Sequence, residues 1–187
     1  MSELDKMPQQ QAIAATPEDA AGIQKVMYDS WTTTFEGKDG ATREDVEDRM
    51  KHALTEEAIK GKAESLENPD PLGQVFVVKN QQNEVIGYCR VEQRPDKEEN
   101  EIAAVHALPS EKGKGVGKQL LLKGIQALRA KDPEKNIMLD VAESNEAAIG
   151  FYEKFGFINT GEWRMEEPMK SGAQRKMIKM VLKSRSE

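Results

Sequence analysis

A mixed α/β domain is the fold class this sequence predicts, and three features predict it. Val75-Phe76-Val77-Val78 is a β-branched and aromatic run, and Glu84–Gln93 returns as a second strand after the polar turn 80–83. Beyond residue 113 the apolar spacing becomes helical. A strand run at Ile137–Val141 and a helical segment at Asn145–Phe155 then alternate, as in a mixed central sheet of six or seven strands with helices on both faces.

The elements follow in order. Residues 1–10 are polar, contain Pro8 and show no period, which predicts a flexible tail. Residues 11–15 read as a first strand. Thr16-Pro17-Glu18-Asp19 starts a helix, with Thr16 as cap and Pro17 at the first helical position. Ile23, Val26, Met27 and Trp31 give that helix its apolar stripe. Gly37 and Gly40 break the chain. Thr42-Arg43-Glu44-Asp45 starts a second helix, with Val46, Met50, Ala53 and Leu54 on its buried side. Residues 55–66 are helical by propensity and heavily charged, and Asn68-Pro69-Asp70-Pro71 is a loop.

After the hairpin at 74–93, Glu101–Leu108 is a strand ended by Pro109. Gly113–Gly117 opens a helix to Lys131 that turns Val116, Leu120, Leu121, Gly124 and Leu128 inward. Ala148, Ile149, Tyr152 and Phe155 are the apolar positions of the helix at 145–155. Phe157–Trp163 and Arg175–Leu182 are the final strands, so one domain runs from 11 to 183.

Composition narrows the function. The chain has 187 residues, 37% hydrophobic and 32% charged, with a net charge of −6, which argues against general nucleic-acid binding. No apolar run is long enough to span a membrane, and no secretory pattern opens the chain. Cys89 is the only cysteine, so a reducing, cytoplasmic setting is expected. Only His52 and His106 could join it around zinc, so no metal is expected.

Lys112-Gly113-Lys114-Gly115-Val116-Gly117-Lys118 follows a strand and opens a helix, a context suited to phosphate. The first N–H groups of a helix lack internal partners, and glycines let a phosphate approach them. A P-loop fails here because position 112 is lysine and position 119 is Gln119. A dinucleotide fingerprint fails because Lys118 stands at the third glycine position. A flexible turn with solvated lysines is the remaining reading of the motif alone.

The motif does not stand alone. Lys112-x-x-Gly115-x-Gly117, after the strand Val105-His106-Ala107-Leu108, resembles the acetyl-CoA motif of the GNAT acetyltransferase superfamily, usually Gln/Arg-x-x-Gly-x-Gly/Ala. Asn145-x-x-Ala148-x-x-Phe151-Tyr152-Glu153-Lys154-x-Gly156-Phe157 resembles the family's C-terminal signature. The likeness covers about 72–183. Trp31-x-x-Thr34-Phe35 and Thr160-Gly161-Glu162-Trp163 are similar to the branch containing bacterial polyamine acetyltransferases.

The resemblance implies a single-domain GNAT fold with a splayed central pair of parallel strands. It implies acetyl-CoA as co-substrate and a small-molecule amine as acceptor, polyamine-like or other, with direct transfer in a ternary complex. A protein or peptide acceptor, or a CoA-binding module without transfer, are the alternatives. By the same resemblance the backbone of His106 and Ala107 pairs with the pantetheine arm, and residues 112–118 hold the diphosphate. Tyr152 protonates the leaving thiolate, and Asn145 either bonds the pantetheine or caps its own helix. Glu101 is the candidate base, placed by a period of two on the face of Ala103, Val105 and Ala107, with Glu92 or a water as the alternative. Trp31, Phe35 and Trp163 wall the acceptor site or belong to the core. Glu162, Glu166 and Glu167 line the amine pocket or lie in a solvated loop. The last strands often pair between subunits in related proteins, so the resemblance allows a homodimer and leaves the oligomeric state open.

Overall fold

Two threonine–aspartate pairs start the first helices. The computed structural model describes residues 11–184, so the expected tail over 1–10 lies outside it. Asp19 accepts from the Thr16 N–H at 3.0 Å, and a short 3-10 turn leads into α1 (Ala20–Phe35). Asp45 accepts from the Thr42 N–H at 2.9 Å, and the Thr42 hydroxyl accepts from the Asp45 N–H at 3.2 Å, opening α2 (Arg43–Met50). This reciprocal capping satisfies donors that a helix start leaves unpaired. α2 ends at Met50, so Leu54 lies beyond it and is 47% exposed, whereas Val46, Met50 and Ala53 are buried. α3 (Glu56–Glu67) has no buried residue, in keeping with its charge.

The strands are β1 (Ile13–Ala14), β2 (Gly73–Lys79), β3 (Val85–Glu92), β4 (Glu99–Ala107), β5 (Asn136–Ala142), β6 (Ile158–Met165) and β7 (Lys176–Leu182). They form one sheet in the order β1-β2-β3-β4-β5-β7-β6. Among the described residues only β4 and β5 run parallel, and α4 (Val116–Lys131) connects them. α4 and α5 (Glu146–Glu153) cover one face, over a core that includes Leu120, Leu121, Leu139 and Phe157. α1 covers the other through Ile23 and Val26, packed on Val77 and Tyr88. Helices on both faces of a mixed sheet are the architecture the sequence predicts.

Two glycines let α4 lie close on the sheet. A Cβ at Gly87 would stand 2.7 Å from Val116 Cγ1, and one at Gly124 would stand 2.9 Å from Val91 Cγ1. Val116, Leu120, Leu121 and Leu128 are buried as their spacing predicts.

A bulge changes the reading of β4. Arg90 pairs with Ala104 and Val91 with Ile102, leaving Ala103 as an extra residue. Ile102, Val105 and Ala107 pack in the core under α4, while Ala104 packs in the core under α1. Glu101 therefore shares the face of Ala104 and His106. The expectation that it lies with Val105 and Ala107 is corrected, because a single inserted residue inverts a period of two.

Candidate active site

The parallel pair parts almost as soon as it forms. β4 and β5 are in register only from Glu99–Glu101 against Asn136–Met138. Buried Asn100 pins this closed end, accepting from the Arg94 N–H at 2.9 Å and donating to Asp132 at 3.1 Å. Beyond it the strands diverge around a cleft of about 360 Å³, bounded by residues 101–107 and 139–142, by Asn145 at the start of α5 and Tyr152 within it, and by Trp31 and Phe35 of α1. The edge of β4 that turns toward β5 has no strand partner past Glu101, so its peptide groups are available to an extended ligand.

The glycine turn follows the wide end of β4. Gly113 and Gly115 have φ of 82° and 88°, a left-handed conformation that glycine adopts without strain. The first α4 bond is from the Gln119 N–H to the Gly115 carbonyl at 3.1 Å. The N–H groups of Val116, Gly117 and Lys118 precede that bond and have no helical acceptor. A Cβ on Gly113 or Gly115 would meet nothing within 4 Å, so the turn faces open space. Lys112 and Lys118 are exposed there, whereas Lys114 is engaged by Glu111 at 3.3 Å. A Cβ on Gly117 would lie 3.7 Å from the Phe151 ring, which puts the turn next to α5.

Tyr152 follows Phe151 and borders the cleft. Its ring packs edge-on to Phe151 at 5.3 Å and Phe157 at 5.8 Å. Burial raises its phenol above the ordinary range, so it keeps its proton at neutral pH. Asn145 caps α5, its side chain accepting from the Ala148 N–H at 3.3 Å, and it also borders the cleft. Glu101 is ion-paired with Arg94; burial raises its carboxyl, and the Arg94 charge opposes that shift. Glu92 stands opposite Glu101 on β3 and pairs with Arg90 at 3.4 Å, outside the cleft lining.

His106 stacks on Tyr88 at 5.3 Å, and its Nδ1 lies 2.8 Å from the Ser30 hydroxyl. Burial pushes its imidazole down to about 4, so it is neutral at pH 7. Trp31 and Phe35 do wall the cleft. Trp163 does not; it is 59% exposed on β6. Of the three glutamates near the end of the chain, Glu166 lines the cleft.

Sequence reasoning missed Arg175. Its side chain is buried between Trp31 and Phe35, 4.1 Å from each ring centroid, and it binds Glu166 through Nε at 2.9 Å. Arg49 of α2 reaches the same Glu166 oxygen at 3.3 Å. The partners come from α1, α2, the end of β6 and the loop before β7, so no local spacing announces them.

An open mixed sheet whose parallel pair diverges, with a glycine turn and a helix start at the wide end, defines the class of fold. The family model for GNAT acetyltransferases matches residues 26–157, and the chain belongs to that family, whose members use acetyl-CoA. A mycothiol acetyltransferase of Streptosporangium roseum is 47% identical over 57 residues, covering 30% of this chain and 17% of that protein. Another, of Paenarthrobacter aurescens, is 33% identical over 93 residues, covering 48% and 28%. The matches thus span under a third of either relative.

Similar solved structures span nearly the whole chain. A spermidine N-acetyltransferase from Vibrio cholerae in complex with CoA and spermine has a TM-score of 0.68 at 19% identity, covering 94% of this chain and 96% of that one. An N-acetyltransferase from Thermoplasma acidophilum in complex with coenzyme A has a TM-score of 0.63 at 20% identity, covering 90% and 96%. At these identities the likeness is one of fold.

Proposed function

We propose that this chain transfers an acetyl group from acetyl-CoA to a small primary amine, with both substrates bound together. One observation carries the reading: an unpaired strand edge and the Tyr152 phenol border the opening between β4 and β5, and the unpartnered helix-start amides follow β4 and lie beside α5, where a Gly117 Cβ would stand 3.7 Å from the Phe151 ring. Family membership supports the co-substrate.

Acetyl-CoA supplies an activated acyl carbon and a thiolate leaving group. The amides of residues 115–118, with Lys112 and Lys118, hold the diphosphate; the Lys114 N–H already donates to the Glu111 carbonyl at 3.2 Å. The peptide edge of β4 at His106 and Ala107 aligns the pantetheine arm, and Asn145 stays a helix cap beside it. The amine nitrogen bonds to the acyl carbon as the C–S bond breaks. A backbone N–H near Ala107 faces the charge that develops on the carbonyl oxygen. Tyr152 gives its proton to the sulfur. Glu101 takes the proton from the amine, through a water, once Arg94 shifts from it. Buried Cys89, its thiol pushed up to about 12 by desolvation, is unsuited to nucleophilic attack. A buried single cysteine also suits a cytoplasmic site of action.

β6 supports a homodimer. It is the outer strand, every residue in it is exposed, and Ile158 and Trp163 are 53% and 59% exposed. Light scattering that gives a monomer mass would remove that part of the proposal.

The experiment that tests the function is thiol release from acetyl-CoA against polyamines, amino acids, aminoglycosides and peptides. Release with a small amine is expected. Binding of acetyl-CoA without release from any acceptor would mark a coenzyme-binding module instead, and a clear preference for peptides would mark a protein acetyltransferase.

A further inference from the structure

The charge pattern at the acceptor end of the cleft is specific. Three carboxylates line the cleft, those of Glu101, Asp140 and Glu166. Each is already matched: Glu101 by Arg94, Asp140 by Arg164 at 2.9 Å, and Glu166 by Arg175. Arg49 makes a second contact to Glu166 at 3.3 Å, so two guanidiniums share one carboxylate. Arg164 and Arg175 line the cleft with these three carboxylates, while Arg94 and Arg49 reach Glu101 and Glu166 from outside its lining; with all four counted, the arginines exceed the carboxylates they meet by one.

We infer that the acceptor carries a carboxylate on the same molecule as its amine, and that Arg49 and Arg175 beside Trp31 receive it. The inference rests on the transfer reading above and names its substrate class. A polyamine leaving water needs unmatched carboxylates to replace its hydration, and each cleft carboxylate already has an arginine partner. A carboxylate meets the opposite situation. Guanidiniums present planar, paired donors, and Glu166 shows that this pair accepts a carboxylate group. Trp31 adds a fixed wall, with the Arg175 and Arg49 guanidiniums 4.1 and 5.9 Å from its ring centroid. Those rings hold Arg175 in place, which leaves the more exposed Arg49 to adjust to the ligand.

The test compares matched acceptors on the full chain by thiol release: α- and ω-amino acids, their carboxamides, and diamines of the same length. The amino acid is expected to exceed its carboxamide in kcat/KM by about tenfold or more, as for one charge-assisted hydrogen bond. The diamine should rank last. Arg49→Gln should bring the acid-to-amide ratio to within about threefold, mainly through KM for the acid. Arg49→Lys, which keeps the charge and loses the fork, should restore part of the ratio. A diamine or carboxamide that equals the acid overturns the inference and leaves the transfer reading standing. An unchanged ratio in Arg49→Gln, with normal melting behaviour, also overturns it. Absence of release from every amine removes both.

Discussion

Gly87→Ala joins the packing of α4 to coenzyme affinity. The added Cβ would stand 2.7 Å from Val116 Cγ1, 2.9 Å from Leu120 Cδ1 and 2.9 Å from the His106 carbonyl oxygen. Ordinary contact begins near 3.4 Å, so the first turn of α4 must retreat by about 0.7 Å or β4 must shift. Overpacking of this kind costs about 1–3 kcal/mol. For a domain of this size that lowers the melting temperature by roughly 2–12 °C. The same retreat moves the amides of Val116, Gly117 and Lys118, which under the proposal bind the diphosphate. Acetyl-CoA affinity should then fall about tenfold, the worth of one hydrogen bond to a charged group. Thermal unfolding and calorimetric titration read the two effects. Gly61→Ala in α3, where a Cβ meets nothing within 4 Å, is the control and should gain up to about 1 kcal/mol. Unchanged melting and unchanged affinity in Gly87→Ala would refute the close packing and its link to the coenzyme.

Other outcomes follow from the site. Tyr152→Phe should lower turnover by about a hundredfold or more with acetyl-CoA affinity little changed, and equal turnover would remove its role as acid. Gly117→Glu should abolish coenzyme binding without unfolding the chain, because its Cβ has a clear 3.7 Å to Phe151; normal affinity by calorimetry would reject the phosphate site. His106 is held near 4 in the fold against an ordinary 6.5, so the unfolded chain takes up its proton first as pH falls. Stability should therefore drop by about 2 kcal/mol from pH 7 to pH 5 in urea titrations, and His106→Gln should flatten that slope. Asp45 acts below this window. The Thr42 and Ser171 hydrogen bonds hold its carboxyl well below the usual carboxylate range, so its contribution is lost only at more acid pH. A slope that persists in the histidine variant would show that other groups carry it.

Much of the fold was legible because its signals are local. The apolar stripe of α4, the capping pairs at Thr16 and Thr42, and the hairpin from Val75 to Gln93 each depend on residues a few positions apart. The bulge at Ala103 was not legible, since one inserted residue leaves no mark on composition and still moved Glu101 to the other face. The glycine turn and α5, which the proposal gives to the coenzyme, were readable from two motifs on continuous elements. The opposite wall was not: Arg175 gains its place from Trp31, Phe35, Arg49 and Glu166, brought together only by the tertiary fold. Trp163 shows the converse, an aromatic that reads as a wall and lies on an open edge strand.

A crystal structure with acetyl-CoA tests the central claim most directly. Diphosphate oxygens should lie within hydrogen-bond distance of the N–H groups at 115–118, with the thioester sulfur against the Tyr152 hydroxyl and the arm along the free edge of β4. A coenzyme bound elsewhere, with that turn empty and the phenol remote from sulfur, would contradict it.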